Sequence, residues 1–197
     1  IYLLGFNPGG KIECNGAKLC DEIGNMLSYN KNAYVEDWGN GAGCSPLQQR
    51  LLWIFTSLGT CSYGLENICA SNLIFLRSRN VKEFETCCEG NNWRKVADDC
   101  WPVHEAIFSI VKPKLVITFG NSSVSPYSYI YHRYHCGKEE LLESGHGSWK
   151  IKSFSTQLLE RKVTIVGFPH LSRYAPNTKD KSIQAGIIQL LKAKLES

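Results

Sequence analysis

The chain has 197 residues, 43% hydrophobic and 20% charged, enough for a packed core and too apolar for a disordered segment. A net charge of +4 is mildly basic, which suits a polyanionic partner without demanding one. No apolar stretch reaches the roughly 18 residues a membrane span needs, and the short apolar start has neither the length nor the basic flank of a signal peptide.

The chain opens on Ile1 rather than Met, which points to a trimmed or missing upstream segment. The apolar run Ile1-Tyr2-Leu3-Leu4 predicts a strand over Tyr2–Phe6, cut off by Asn7-Pro8-Gly9. Asn7 then projects from the strand's carboxyl end, stiffened by Pro8 and followed by the permissive Gly9 and Gly10. Lys11–Gly43 is rich in Asn and Gly and reads as an irregular loop, the kind that walls a pocket. Ser45 is an N-cap and Pro46 a first helical residue; Leu47, Leu51, Ile54 and Leu58 then share a helical face. A strand is expected over Ser71–Leu76, with Asn72 opening its apolar run and Arg77-Ser78-Arg79 following. Pro102–Val111 reads as a helix with Val103, Ile107 and Ile110 on one face, stopped by Pro113. Leu115–Phe119 is a strand ending in Gly120-Asn121-Ser122-Ser123. Trp149–Phe154 and Val163–Phe168 are further strands, the second leading into Pro169-His170-Leu171-Ser172-Arg173-Tyr174. Ser182–Leu195 closes the chain as a helix carrying Ile183, Ile187, Leu190, Leu191 and Leu195.

Strands alternate with helices, and no hairpin is evident across the middle. The expected fold is therefore α/β: a three-layer sandwich with a central, mainly parallel sheet and helices on both faces, as a single domain over residues 1–197. Nine cysteines, an odd number and without any C-x-x-C pair, read as free thiols of an intracellular protein. His132, His135 and Cys136, or Cys87, Cys88 and Cys100, are the nearest approaches to a metal-ligand set, and no metal or other cofactor is expected. Neither Gly-x-Ser-x-Gly nor the phosphate-loop pattern Gly-x-x-x-x-Gly-Lys-Ser/Thr is present.

Three strands end in polar residues. Asn7, the Gly120 turn and His170 converge on one edge if those strands run parallel, and ligands bind at that edge in open α/β sheets. Taken singly, each is ordinary turn chemistry. Taken in order, they resemble the uracil-DNA glycosylase superfamily. Gly5-Phe6-Asn7-Pro8-Gly9 is similar to the first motif of its single-strand-selective and mismatch-specific branches. Ser71-Asn72-Leu73-Ile74-Phe75 resembles the strand that reads the base, and Pro113–Gly120 resembles the Pro-(basic)-strand-Gly element. Pro169-His170-Leu171-Ser172-Arg173 resembles the last motif, with Leu171 where the family normally carries Pro.

The resemblance implies a monofunctional DNA glycosylase that hydrolyses the N-glycosidic bond of uracil or a related damaged base and so begins base-excision repair. Asn7 would orient the attacking water and His170 would donate to uracil O2. Asn72 would read the base edge, with Tyr34, Trp38 or Phe6 stacking on the ring. Ser172, Arg173, Ser122 and Ser123 would grip phosphates, and Leu171 or Tyr174 would wedge into the vacated stack. No lysine occupies a motif position, so lyase chemistry is not expected. The implied partner is single- or double-stranded DNA with a flipped base. The protein would be a monomer with no membrane contact, in the nucleus of a eukaryote or the cytoplasm of a bacterium. The alternative is a catalytically inactive module of the same fold that binds uracil or damaged DNA.

Overall fold

The computed structural model describes residues 1–8, 45–59, 68–87, 92–135 and 137–196. Six strands form one sheet: β1 (Tyr2–Gly5), β2 (Cys69–Asn72), β3 (Leu115–Phe119), β4 (Glu140–Glu143), β5 (Lys150–Leu158) and β6 (Arg161–Phe168). Their order is β2-β1-β3-β6-β5-β4; the first four run parallel, and β5 and β4 add an antiparallel margin. The helices are α1 (Pro46–Leu58), α2 (Val81–Cys87), α3 (Trp93–Val111), α4 (Pro126–Tyr134) and α5 (Lys181–Glu196).

Alternation along the strands divides the core into two layers. Tyr2, Leu4, Val116, Val163 and Ile165 face Phe84 of α2, Trp93, Trp101 and Phe108 of α3, and Ile130 of α4. Leu3, Leu115, Ile117, Val166 and Phe168 face Leu51 and Ile54 of α1 and Ile187 and Leu191 of α5. The sheet thus lies between two helical layers, the three-layer arrangement expected. Among the described residues, no helix is long and apolar enough to cross a membrane.

Several elements depart from expectation. Asn72 closes β2 instead of opening a strand. The residues after it continue only two pairings, Leu73 N–H to Gly5 O at 2.8 Å and Ile74 N–H to Phe6 O at 2.9 Å, before Phe75 and Leu76 turn out to solvent. Helix α3 begins at Trp93, so Pro102 lies inside it. An interior proline costs about 3 kcal/mol. The continuous buried stripe Trp93, Ala97, Trp101, His104 and Phe108 carries the helix through it. β5 and β6 form a hairpin whose turn residues, Leu159 and Glu160, take φ of 48° and 62°. β4, α2 and α4 have no counterpart among the expected elements.

The connection after β1 runs outward to β2, whereas the chain after β3 proceeds toward β6 on the other side. The carboxyl ends of β1 and β3 therefore flank the topological switch point, where such sheets open a crevice.

Candidate active site

Asn7 follows β1 at the edge of the sheet where this switch point lies. Its side-chain nitrogen donates to Ser78 Oγ at 2.7 Å, to the carbonyls of Leu76 and Pro8 at 3.2 Å each, and more distantly to Ser78 O at 3.5 Å. Backbone carbonyls only accept, so the amide is fixed with nitrogen inward. Ser78 is buried and spends its own proton on Asn80 O at 3.1 Å, which leaves its oxygen free to accept from Asn7. The outcome is an Asn7 Oδ1 with no hydrogen bond among the described residues. A carbonyl oxygen oriented in this way can accept from a water.

His170 stands beyond the end of β6. Its Nδ1 lies 3.2 Å from Ser172 N and 2.7 Å from Ser172 Oγ. A backbone N–H can only donate, so Nδ1 accepts, and the proton of the neutral ring sits on Nε2. Nε2 has no partner among the described residues. The residue keeps an open edge, yet the protein packed round its ring, and secondarily the Arg173 guanidinium, hold its pKa below the ordinary histidine value. The ring also rests over Gly120, where a Cβ would come within 3.9 Å of Cδ2; Gly120 takes φ of 103°, which other residues adopt only under strain.

Only β3 separates β1 from β6, so Asn7 and His170 leave strands about 10 Å apart on the same edge. Asn72 ends β2 directly beside Gly5 of β1 and is half-buried at this edge. Asn121 braces the floor, donating to Gly167 O and Lys150 O at 2.8 Å each. Ser122 and Ser123 are exposed on the turn ahead of α4, whose N-cap is Ser125 rather than either of them. Arg77, Arg79 and Arg173 rim the edge and are exposed.

Two expected roles need correction. Leu171 is fully buried in the layer shared with α1 and α5, so it fills the core where a wedge would have to project. Tyr174 is also fully buried; its hydroxyl donates to Ser144 O at 2.9 Å, and burial pushes its pKa up to about 12. Phe6 is partly buried and packs in T-shaped contact with Trp93 at 5.7 Å and Phe84 at 6.3 Å. Tyr34 and Trp38 lie outside the described residues.

Other supporting residues went unread in the sequence. Arg50 of α1 donates to Leu171 O and ties the His170 loop to the helix beneath it. His104 is fully buried; its Nε2–H donates to Leu73 O at 3.1 Å and its Nδ1 accepts from Tyr2 Oη at 2.8 Å. It thereby joins α3, β1 and the exit of β2. Helical phase alone flags Arg50 and His104 as polar residues on or beside apolar faces, but their partners are remote in sequence.

No family model matches the chain, and no curated protein matches it.

Proposed function

We propose that this protein is a monofunctional DNA glycosylase of the uracil-DNA glycosylase type, acting on uracil or a closely related base. The observation that carries the reading is that Asn7 Oδ1 and His170 Nε2–H, each oriented by its own hydrogen bonds and each without a partner among the described residues, follow parallel strands that end on one edge of the sheet.

The target nucleotide leaves the stack at a cost of a few kcal/mol, offset by contacts to its ring and edge. Asn72 is the edge reader, because a carboxamide matches uracil's N3–H and O4 with an acceptor and a donor. As the bond between C1′ and N1 breaks, its electron pair moves onto the uracil ring and the sugar takes on oxocarbenium character. His170 Nε2–H donates to the developing charge at O2, a contact worth about 3–4 kcal/mol in comparable oxyanion sites. Neutral imidazole suffices, which agrees with the lowered pKa. Asn7 Oδ1 accepts from a water that adds to C1′ and gives its second proton to solvent. The carboxamide supplies position without basicity, so the rate is modest. Arg173, Arg77 and Arg79 are exposed and would meet phosphates.

Incubation with oligonucleotides carrying uracil, thymine opposite guanine or hypoxanthine, followed by alkali, tests this. Breakage at the lesion supports excision. A strand that is bound but left intact under all conditions would instead make the protein a lesion-binding module.

A further inference from the structure

Helix α3 is apolar on two faces. One is the buried stripe from Trp93 to Phe108. The other carries Val103, Ala106 and Ile110, spaced by three and four residues, and all three are exposed, Val103 by 48% and Ile110 by 79%. The periodicity that marks Val103 and Ile110 in the sequence as one apolar face is therefore real, yet neither residue belongs to either core layer. A surface helix ordinarily turns charged and polar groups to this side. Pro102 and Ser109 flank the face, and the Ser109 hydroxyl is already spent within the helix, donating to Ala106 O at 2.7 Å.

The charges around the face say what covers it. Asp99 lies on it one turn before Val103, and Lys112 and Lys114 follow its last turn. All three are exposed, and none has an ion-pair partner among the described residues. Such a pattern is complementary to its own reverse. A two-fold axis through Ala106, with two copies of α3 antiparallel, brings Ile110 over Pro102 and Val103 of the other copy. It also sets Asp99 level with position 113 of that copy, between Lys112 and Lys114. Lys95, a further turn out, lies beyond the end of the other copy's helix in this register. Ala106 at the crossing lets the two backbones approach closely.

We infer that the protein self-associates as a symmetric dimer through the outer face of α3, in place of the monomer that the resemblance implies. The interface is isologous, so the apolar contact and the Asp99–lysine pairing each occur twice. One pair of helices covers less than the roughly 800 Å² per partner of a standard interface, so the dissociation constant is expected on the order of tens of micromolar. Only Lys112–Lys114 separate α3 from the start of β3, which runs parallel to β1; α3 therefore ends at the sheet edge opposite Asn7 and His170. The contact uses no residue of the candidate site, and the inference stands apart from the glycosylase reading.

The test is sedimentation equilibrium of the full chain from about 5 to about 500 µM, with thermal unfolding of each variant as a check on folding. Wild type should pass reversibly from monomer to dimer, and Ile110→Glu should stay monomeric. Asp99→Lys alone, and Lys112→Glu with Lys114→Glu alone, should each dimerise about tenfold more weakly, because like charges then meet at both ends. An equimolar mixture of those two variants should recover wild-type association, because opposite charges again meet at both ends of the mixed dimer. A wild type that is monomeric throughout overturns the inference and leaves the face to a different partner. Association unchanged by Ile110→Glu overturns it too, as does a mixture that associates no better than its components. No DNA enters the measurement, so its outcome and that of the excision assay are separate.

Discussion

Replacing Asn7 by Asp would give the first motif a carboxylate, and sequence logic alone expects a faster enzyme with a general base in place. The structure leads to the opposite result. The Asn7 nitrogen is the donor in four contacts, and three of its acceptors are backbone carbonyls, of Pro8, Leu76 and Ser78. Asn7→Asp puts a carboxylate oxygen against those carbonyls. Ser78 Oγ can turn its proton toward the carboxylate only by releasing Asn80 O. Loss of these donor contacts costs about 2 kcal/mol. For a chain of this size that is a fall in Tm of about 4–8 °C. The new carboxyl relieves the conflict by keeping its proton, so its folded pKa rises above the unfolded value. Stability relative to wild type is then preserved at low pH and lost as pH rises through the raised pKa. Thermal unfolding of both proteins from pH 4.5 to 8, with single-turnover excision at pH 7.5, measures this. A variant as stable as wild type at pH 7.5 and faster at excision would refute the inward orientation of the amide.

Other consequences can be checked by similar means. Gly167→Ala places a Cβ 2.4 Å from Tyr127 Cδ2 and 3.0 Å from Asn121 Cβ, so denaturant unfolding should show a loss of about 1–3 kcal/mol. Pro102→Ala restores the missing helical N–H in α3 and should stabilise the protein, by up to about 3 kcal/mol if the helix straightens without repacking. Burial lowers the pKa of His104 and of His170, so the unfolded chain takes up protons first. Stability is then full above about pH 6.5 and falls as pH drops below it. His104→Gln should flatten that fall in Tm, and an unchanged slope would remove His104 as a contributor.

What could be read from the sequence follows from what each segment buries. β1, β3 and β6 are covered on both faces and appear as short, almost continuous apolar runs. β4 is an exposed margin of sequence Glu-Leu-Leu-Glu and lacks such a run. The β5–β6 turn hides because Leu159 and Glu160 occupy left-handed backbone that Asn-Gly would have announced. Pro102 imitates a helix start, and only the buried stripe from Trp93 onward shows otherwise. At the site, convergence of Asn7, Gly120 and His170 followed from parallel strand order. Orientation did not, because Asn7 is turned by Ser78 across 71 residues of sequence. Leu171, expected as a wedge, instead fills the core, because burial is set by packing that its place in the sequence does not reveal.

The central claim is that Asn7 and His170 act on the same nucleotide from the two flanks of one crevice. Single-turnover release of uracil from an oligonucleotide by wild type, Asn7→Ala, His170→Ala and the double variant tests it most directly, with DNA affinity measured alongside. Removal of the His170 donor should slow release by about 10²–10³-fold. Asn7→Ala should slow it strongly too, while affinity changes little in either variant. Release at the wild-type rate by both single variants would contradict the account.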